Sequence, residues 1–483
     1  MKLGIDLGTS MAKVAAFDDR GHCIAIAARE TILQHLGQGR IEQDFEQLFE
    51  TVCEIIQEVL VKTKQNPTVV GITGQSDGLW LFDENGFAVA PAVSWLDDRG
   101  NPYLQHWIDS GVFDQVFQIS GNAIFPGSMA PLMAALHDKT PEVLRRAYTA
   151  SYLKDAILQR LTGVRITDAS DTSLPFLNTL SREYDPKILE MLGLDRYRHL
   201  LAPIMLAPGQ TFVVTQTGSD CTGLPVGTPV HAGPFDLPAC AIGAGVRNVG
   251  DGLIIIGTTL ACEVLVDRVD TDQPSVGMTL CMPQQGRWIR AMPAMVGTAA
   301  LDWTLSMIGR KAQDLDIILG DSQPGANGVM ALPYFSATGE RAPFVDVNAR
   351  GLFTGMTTST TPADLAMATC ESIAYAARHC IQAAGLSGDL YVCGGGSNSA
   401  TWLQMFADVL QHPLKVARRP EVGARGAAMA AMQAAGHGFD PVEWTEPETT
   451  IQPNPAVAKL YKTGFDTYMS LIKAIQPTWR PKQ

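Results

Sequence analysis

Leu3-Gly4-Ile5-Asp6-Leu7-Gly8-Thr9-Ser10, with Lys13 inside the next apolar run, is the stretch on which the reading of this chain turns. An apolar strand delivers Asp6 to its tip, and Gly8 lets the backbone turn tightly. Thr9 and Ser10 offer hydroxyls and backbone N–H groups to an anion, and Lys13 adds a point charge. Successive N–H groups in such a turn suit phosphate, and a carboxylate beside them suits hydrated Mg²⁺. Gly-Thr-Ser is also a common plain turn, so the rest of the chain has to decide.

Outward from this stretch, residues 2–6, 13–17 and 23–29 read as three strands separated by turns. Asp44 has the position of a helix N-cap, with Gln47 three residues on. Phe45, Leu48, Phe49, Val52, Ile55, Ile56 and Val59 then recur at helical spacing, which gives one apolar face. Residues 68–73 return as a strand and run into Gly74-Gln75-Ser76-Asp77-Gly78. The second half echoes this order. Residues 252–256 read as a strand, Gly257-Thr258-Thr259 as a turn, 260–266 as a strand, and 390–393 as a later strand. A weak internal repeat with one phosphate loop per half follows. The expected domains are residues 1–245 and 246–483, with a break near 230 as the alternative. The helical tail from about 455 to 475 is a candidate to cross back to the first domain.

A chain of 483 residues is too long for one core. Its composition, 46% hydrophobic and 18% charged, is that of a folded protein. The net charge of −13, without a long basic run, argues against nucleic acid and anionic membranes as partners. An acidic chain repels nucleotides at long range, so any phosphate site must be local and built from backbone N–H groups. The nine cysteines are scattered and form no Cys-x-x-Cys pair. This favours free thiols over a disulfide framework or a zinc site. The N-terminus has no continuous apolar stretch of signal-peptide type, and residues 253–266 are interrupted by Glu263. A cytoplasmic protein without a membrane span is therefore expected.

Four further segments join the opening motif: Trp95-Leu96-Asp97-Asp98-Arg99, Gly233-Pro234-Phe235-Asp236, Gly339-Glu340-Arg341-Ala342-Pro343 and Gly394-Gly395-Gly396-Ser397. In this order and spacing the chain resembles the FGGY family of carbohydrate kinases along nearly its whole length. A further family signature fits from Gly351 through Asp364 and Leu365 to Glu371, with Cys370 where a larger apolar residue is usual. The resemblance implies an α/β fold of two actin-like (ribonuclease H-like) sugar-kinase domains flanking a cleft. It assigns the sugar and the first phosphate loop to the N-terminal domain and ATP to the C-terminal one. Trp-x-Asp-x-Arg and Gly-Glu-Arg-x-Pro are most similar to xylulokinases, with gluconate and erythritol kinases close behind. Two segments depart from the D-xylulose pattern. Ser76-Asp77 stands where Met-His is typical, and Gly-Pro-Phe-Asp where Gly-Gly-Gly-Asp-Asn is typical.

The resemblance distributes the chemistry residue by residue. Asp236 is the expected base for the accepting hydroxyl, and phosphoryl transfer otherwise needs positioning and charge stabilisation. Asp6 is the expected Mg²⁺ residue, acting through water. Gly8, Thr9, Ser10 and Lys13 are assigned to the nucleotide phosphates, as are Gly257, Thr258 and Thr259. Gly394, Gly395, Gly396, Ser397 and Asn398 are assigned to adenine, because three glycines leave a flat surface without Cβ atoms. Gln75, Ser76, Asp77, Trp95, Asp97 and Arg99, with Asp236, are assigned to the sugar. Hydroxyls need donors and acceptors in complementary directions, and indole packs on a carbon chain. Glu340-Arg341 stays outside the site as a candidate structural pair.

The expected activity is ATP-dependent phosphorylation of xylulose to xylulose 5-phosphate. Another ketose, a polyol such as erythritol, or gluconate is the alternative acceptor. An actin- or chaperone-like ATPase would need no sugar base, and a silent sugar sensor would not keep Asp6, Asp236 and the glycine loop. Homodimers are common in the family, and a homodimer stays open here.

Overall fold

The computed structural model describes residues 1–205, 209–336, 338–418 and 420–479. The chain divides into two compact units. The first comprises Met1–Gly245, Val266–Ile289 and Arg419–Glu446, and the second Val246–Leu265, Arg290–Arg418 and Pro447–Gln483.

The first unit is built on the opening hairpin. Strand Lys2–Leu7 pairs antiparallel with Met11–Phe17, which pairs antiparallel with Cys23–Glu30. On its other side Lys2–Leu7 runs parallel to Val70–Gly74, and that strand runs parallel to Pro229–Ala232. The intervening helix, Phe45–Thr63, is capped by the Asp44 side chain, which accepts from the Glu46 and Gln47 amides. Its buried face carries the apolar positions expected from spacing, from Phe45 to Val59.

A second helix, Val422–Ala434, closes the opposite face although it begins far along the chain from the first helix, Phe45–Thr63. Gly4 and Gly71 make this possible by removing side chains from neighbouring strands. A Cβ on Gly4 would stand 1.9 Å from the Ala424 carbonyl oxygen, and one on Gly71 2.0 Å from that of Ala427. The Trp444 indole that follows the helix donates to the Asp19 carbonyl at 3.0 Å and packs on Phe17. The late segment that returns to the first unit is thus Arg419–Glu446, after the earlier return of Val266–Ile289. The terminal helix Ala458–Ile475, expected as the candidate, lies in the second unit instead. Its Tyr461, Phe465 and Tyr468 pack on Tyr375 of that unit.

The second unit repeats the scheme. Gly252–Ile256 pairs antiparallel with Leu260–Val266 and parallel with Leu390–Cys393, which runs parallel to Leu414–Val416. Helix Pro362–Ala384, with a Thr361/Asp364 capping box, packs against this region, and the Cys370 carbonyl accepts the Trp402 indole N–H at 3.3 Å. Glu340 is buried, and its Oε1 accepts the Met295, Arg341 and Ala342 amides, while Arg341 Nε donates to the Pro293 carbonyl. The Gly-Glu-Arg segment therefore braces its own unit. All nine cysteines are free thiols. Among the described residues no helix is long and apolar enough to cross a membrane.

Candidate active site

Three neighbouring parallel strands of the first unit, Lys2–Leu7, Val70–Gly74 and Pro229–Ala232, end on one edge of the sheet. Loops leaving the carboxyl ends of parallel strands are where α/β sheets collect ligand-binding groups. Here the strand ends and the segments that follow them carry Asp6, Gln75-Ser76-Asp77 and Asp236. Backbone bonds fix them to one another. The Gln75 amide donates to Leu7 O at 2.8 Å, and the Gly233 amide to Ile72 O at 3.1 Å. The Thr73 hydroxyl donates to Pro234 O at 2.7 Å.

Asp236 is the first residue of helix Asp236–Ala244, and Asp6 stands one residue before the end of its strand. Each keeps a partly exposed edge. Burial, with Asp6 adding a like charge, pushes the Asp236 carboxyl up to about 7. Burial also lifts Asp6 to about 6, against the pull of Lys13. A base poised near neutrality is what proton abstraction at neutral pH requires. Gly423 presses on Asp6 from behind, where a Cβ would stand 2.5 Å from Oδ2. Lys13, opposite Asp6 in the hairpin register, forms an ion pair with Glu421 at 3.0 Å. The cation expected at a phosphate therefore has a protein partner.

A side-chain chain runs through the site. The Trp95 indole donates to Thr9 Oγ1 at 2.8 Å, Thr9 Oγ1 donates to Gln75 Oε1 at 2.8 Å, and Gln75 Nε2 donates to Gln43 Oε1 at 2.8 Å. The Thr9 hydroxyl, expected at phosphate, is joined to the residues assigned to the sugar. Asp97 is buried and accepts the Ile41 amide at 2.7 Å, the Arg99 amide at 2.9 Å, and Arg99 Nε and Nη2 at 2.8 Å each. Arg99 Nη2 also donates to Glu42 at 2.8 Å. Asp97 and Arg99 thus hold each other and the strand at residues 40–43. Ser76 and Asp77 are buried, with Asp77 in the left-handed region at φ 63°. Ser10 is exposed.

In the second unit the Gly257-Thr258-Thr259 turn sits on the start of helix Thr298–Met307. Its carbonyls accept the Thr298 amide at 2.9 Å and the Ala299 amide at 3.3 Å. Thr258 is exposed at the tip. The glycine loop follows strand Leu390–Cys393. Gly394 and Gly396 are packed on Ile256, with added Cβ atoms only 2.5 and 2.2 Å from it, whereas a Cβ on Gly395 would meet nothing within 4 Å. Ser397 Oγ donates back to Gly394 O at 2.7 Å, which closes the turn that Asn398 ends.

Sequence reasoning missed Glu42, Gln43 and Glu421. Their partners lie far away in the chain, and none sits in a motif. The alternation Ile41-Glu42-Gln43 beside Gly39 was the one available signal, for a short strand.

The N-terminal domain model of the FGGY family of carbohydrate kinases matches residues 1–243, and the C-terminal domain model matches residues 257–435. An erythritol kinase of Brucella abortus is 30% identical, over 99% of this chain and 96% of its own. A probable L-xylulose kinase of Pasteurella multocida is 25% identical, over 98% and 99%. The solved structure of a ligand-bound xylulose kinase from Lactobacillus acidophilus superposes with a TM-score of 0.90 at 22% identity, covering 99% of this chain and 98% of that one. The last similarity speaks to the fold alone.

Proposed function

The chain belongs to the FGGY family of carbohydrate kinases, and on that premise we propose that it phosphorylates a terminal hydroxyl of a neutral open-chain polyol or ketose. ATP is the phosphate donor of this family. The observation that supports this reading is the gathering of Asp6, Gln75 and Asp236 at the ends of three parallel strands, with Asp236 held near neutrality. Asp236 takes the hydroxyl proton as the oxygen bonds to the γ-phosphorus and ADP departs. Gln75, Trp95, Ser76 and Asp77 orient the acceptor. Gly395 and its neighbours face the adenine, and Thr258 and Thr259 the phosphates.

Asp6 suits Mg²⁺ through water. Its carboxylate is partly open, and among the described residues no cluster of three ligating side chains forms a dry cage. The ion would neutralise phosphate charge.

Two acceptors stand out. Xylulose follows from the Trp-x-Asp-x-Arg segment. Erythritol follows from the Brucella abortus relative and from Asp77, a carboxylate suited to accept from hydroxyls and to repel a sugar acid. The test is ATP consumption with D-xylulose, L-xylulose, erythritol, gluconate and no acceptor, with the product identified by mass. The reading expects turnover with xylulose or erythritol and little without acceptor. Equal ATP hydrolysis with and without every acceptor would overturn it, and gluconate as the best acceptor would overturn the neutral-acceptor class.

A further inference from the structure

Behind the sugar-binding loop lies a charge cluster that this mechanism does not use. Lys154 is fully buried, and its ammonium lies 2.6 Å from Asp155, 2.8 Å from Asp168 and 3.0 Å from Asp171. Asp168 caps one helical turn, Ala169–Thr172, and Asp171 lies within it; this turn touches both site loops. Ser170 Oγ accepts the Phe235 amide at 3.1 Å, one residue before Asp236. Asp171 lies against Ser76, one residue after Gln75. Ser76 Oγ and Asp171 Oδ1 find no other hydrogen-bond partner among the described residues, and both residues are buried.

Resting on the kinase reading, we propose that the turn Ala169–Thr172, anchored by Lys154, is a strut that sets the two site loops, with Asp171 as the positioning residue for Ser76 and the acceptor. Charge counting then fixes how Asp171 works. Asp168 keeps a partly exposed edge, but Asp155 and Asp171 are fully buried, so around one ammonium at least one negative charge would stay uncompensated out of water, a costly arrangement. The other groups facing the cluster offer no relief. His231, on strand Pro229–Ala232, is pushed toward its neutral form by burial, Tyr152 and Tyr184 are kept protonated by burial, and Asp77 adds negative charge. A proton must therefore stay. Asp171 has the longest ion pair and no exposed surface, and burial pushes its carboxyl well above the ordinary range. As a neutral acid, Asp171 donates to Ser76 Oγ while its carbonyl oxygen faces Lys154. Asparagine reproduces that pattern and alanine does not.

The experiment measures kcat and both KM values for wild type, Asp171→Asn, Asp171→Ala and Ser76→Ala, from about pH 6 to about pH 9. At neutral pH Asp171→Asn should stay within about threefold of wild type, while Asp171→Ala and Ser76→Ala should raise the acceptor KM about tenfold and leave the ATP KM unchanged. The wild-type acceptor KM should rise toward alkaline pH, and that rise should be absent in Asp171→Asn. Asparagine as damaging as alanine, or an unchanged acceptor KM in the alanine variants, overturns the proposal. Hydrogen exchange of the unliganded proteins keeps the test separate from the kinase reading. Amides of residues 75–78 and Phe235 should exchange about tenfold faster in Asp171→Ala than in Asp171→Asn. Equal exchange overturns the strut even if no acceptor is ever found. If the alanine variant does not fold, Ser76→Ala and the alkaline limb decide.

Discussion

The two opening hairpins, Lys2–Phe17 in the first unit and Gly252–Val266 in the second, share a scaffold and differ in chemistry. Each is an antiparallel pair whose first strand also pairs parallel with a later strand. In each, the turn glycine donates its amide back across the turn, Gly8 to Met11 O at 2.9 Å and Gly257 to Thr259 O at 3.1 Å. Beneath the first turn stand Asp6 and Lys13, with Asp236 and Glu421 in electrostatic reach. At the corresponding pair beneath the second stand Ile255 and Ala261. The loops after the parallel strands diverge in the same sense. One presents Gln75, Ser76 and Asp77, and the other presents glycine backbone. Next to the turn, one copy thus carries ionisable groups and the other apolar ones, with the buried Glu263 of the second hairpin opposite Leu253, further from its turn. On the proposed reading, proton transfer and the metal go with the first, and recognition by backbone with the second.

The sharpest attempt to break this contrast is Asp236→Asn. Turnover should fall by on the order of 10²–10⁴ with ligand binding retained, because shape is kept and the proton acceptor is lost. The same change should stabilise the metal-free protein at pH 8. A carboxyl raised from 3.8 to about 7 on folding is one whose proton the unfolded chain releases first, so stability is lost as pH rises from about 4 to about 7. Asparagine removes that loss. Thermal melts should show a gain of about 1–3 kcal/mol at pH 8 that vanishes near pH 4. Turnover within a few-fold of wild type, or a melt that falls at pH 8, would show that the charge centre lies elsewhere.

For the neutral copy, Gly395→Val should raise the ATP KM about 10–100-fold, with the acceptor KM unchanged and the fold intact, because the new atoms enter open space. Gly394→Val, by contrast, meets the Ile256 backbone and a positive φ of 96°, and should cost several kcal/mol of stability in a denaturant melt, about 3 or more. Equal loss of both substrates in Gly395→Val would remove adenine from this surface.

What was legible in the sequence was local. Asp44 and the apolar spacing after it mark a helix that the structure shows as Phe45–Thr63, and the glycine turns mark both hairpins. The FGGY fold itself was readable because five short motifs keep their order. Long-range partners were not. Gln43 meets Gln75 across 32 residues, and Lys13 meets Glu421 across some 400. Glu421 opens a helix in the left-handed region, at φ 62°, where a sequence pattern predicts glycine or asparagine. Lys154, Asp155, Asp168 and Asp171 belong to no motif, and only the fold brings them together, with Lys154, Asp155 and Asp171 buried.

Thr9→Val tests whether the first turn serves the acceptor or the nucleotide. Valine keeps the volume and removes both bonds of the Trp95–Thr9–Gln75 chain. Two hydrogen bonds of ordinary net worth correspond to about a tenfold rise in acceptor KM. A rise confined to the ATP KM would return Thr9 to the phosphates and make the two hairpin turns functionally alike.

The smallest expected effect is at Lys13, and it bears on the same contrast. A lysine three residues past a Gly-Thr-Ser turn reads as a phosphate contact, yet its ammonium is 3.0 Å from Glu421, and both side chains keep some solvent exposure. A partly exposed pair of this kind is worth under about 1 kcal/mol. Lys13 also pulls the Asp6 carboxyl down, so its removal should lift Asp6 further above its ordinary value. Lys13→Met is therefore expected to leave the ATP KM within about threefold of wild type at neutral pH, since on the proposed reading the phosphates are held by backbone amides. Its effect should grow as pH falls, because an Asp6 raised further takes up a proton earlier and loses its hold on the metal. The measurement is the ATP KM of both proteins at fixed Mg²⁺ from about pH 6 to about pH 8. A loss of about thirtyfold or more that does not vary with pH would mean that Lys13 leaves Glu421 for the nucleotide, and that the first hairpin binds phosphate by charge where the second uses backbone alone.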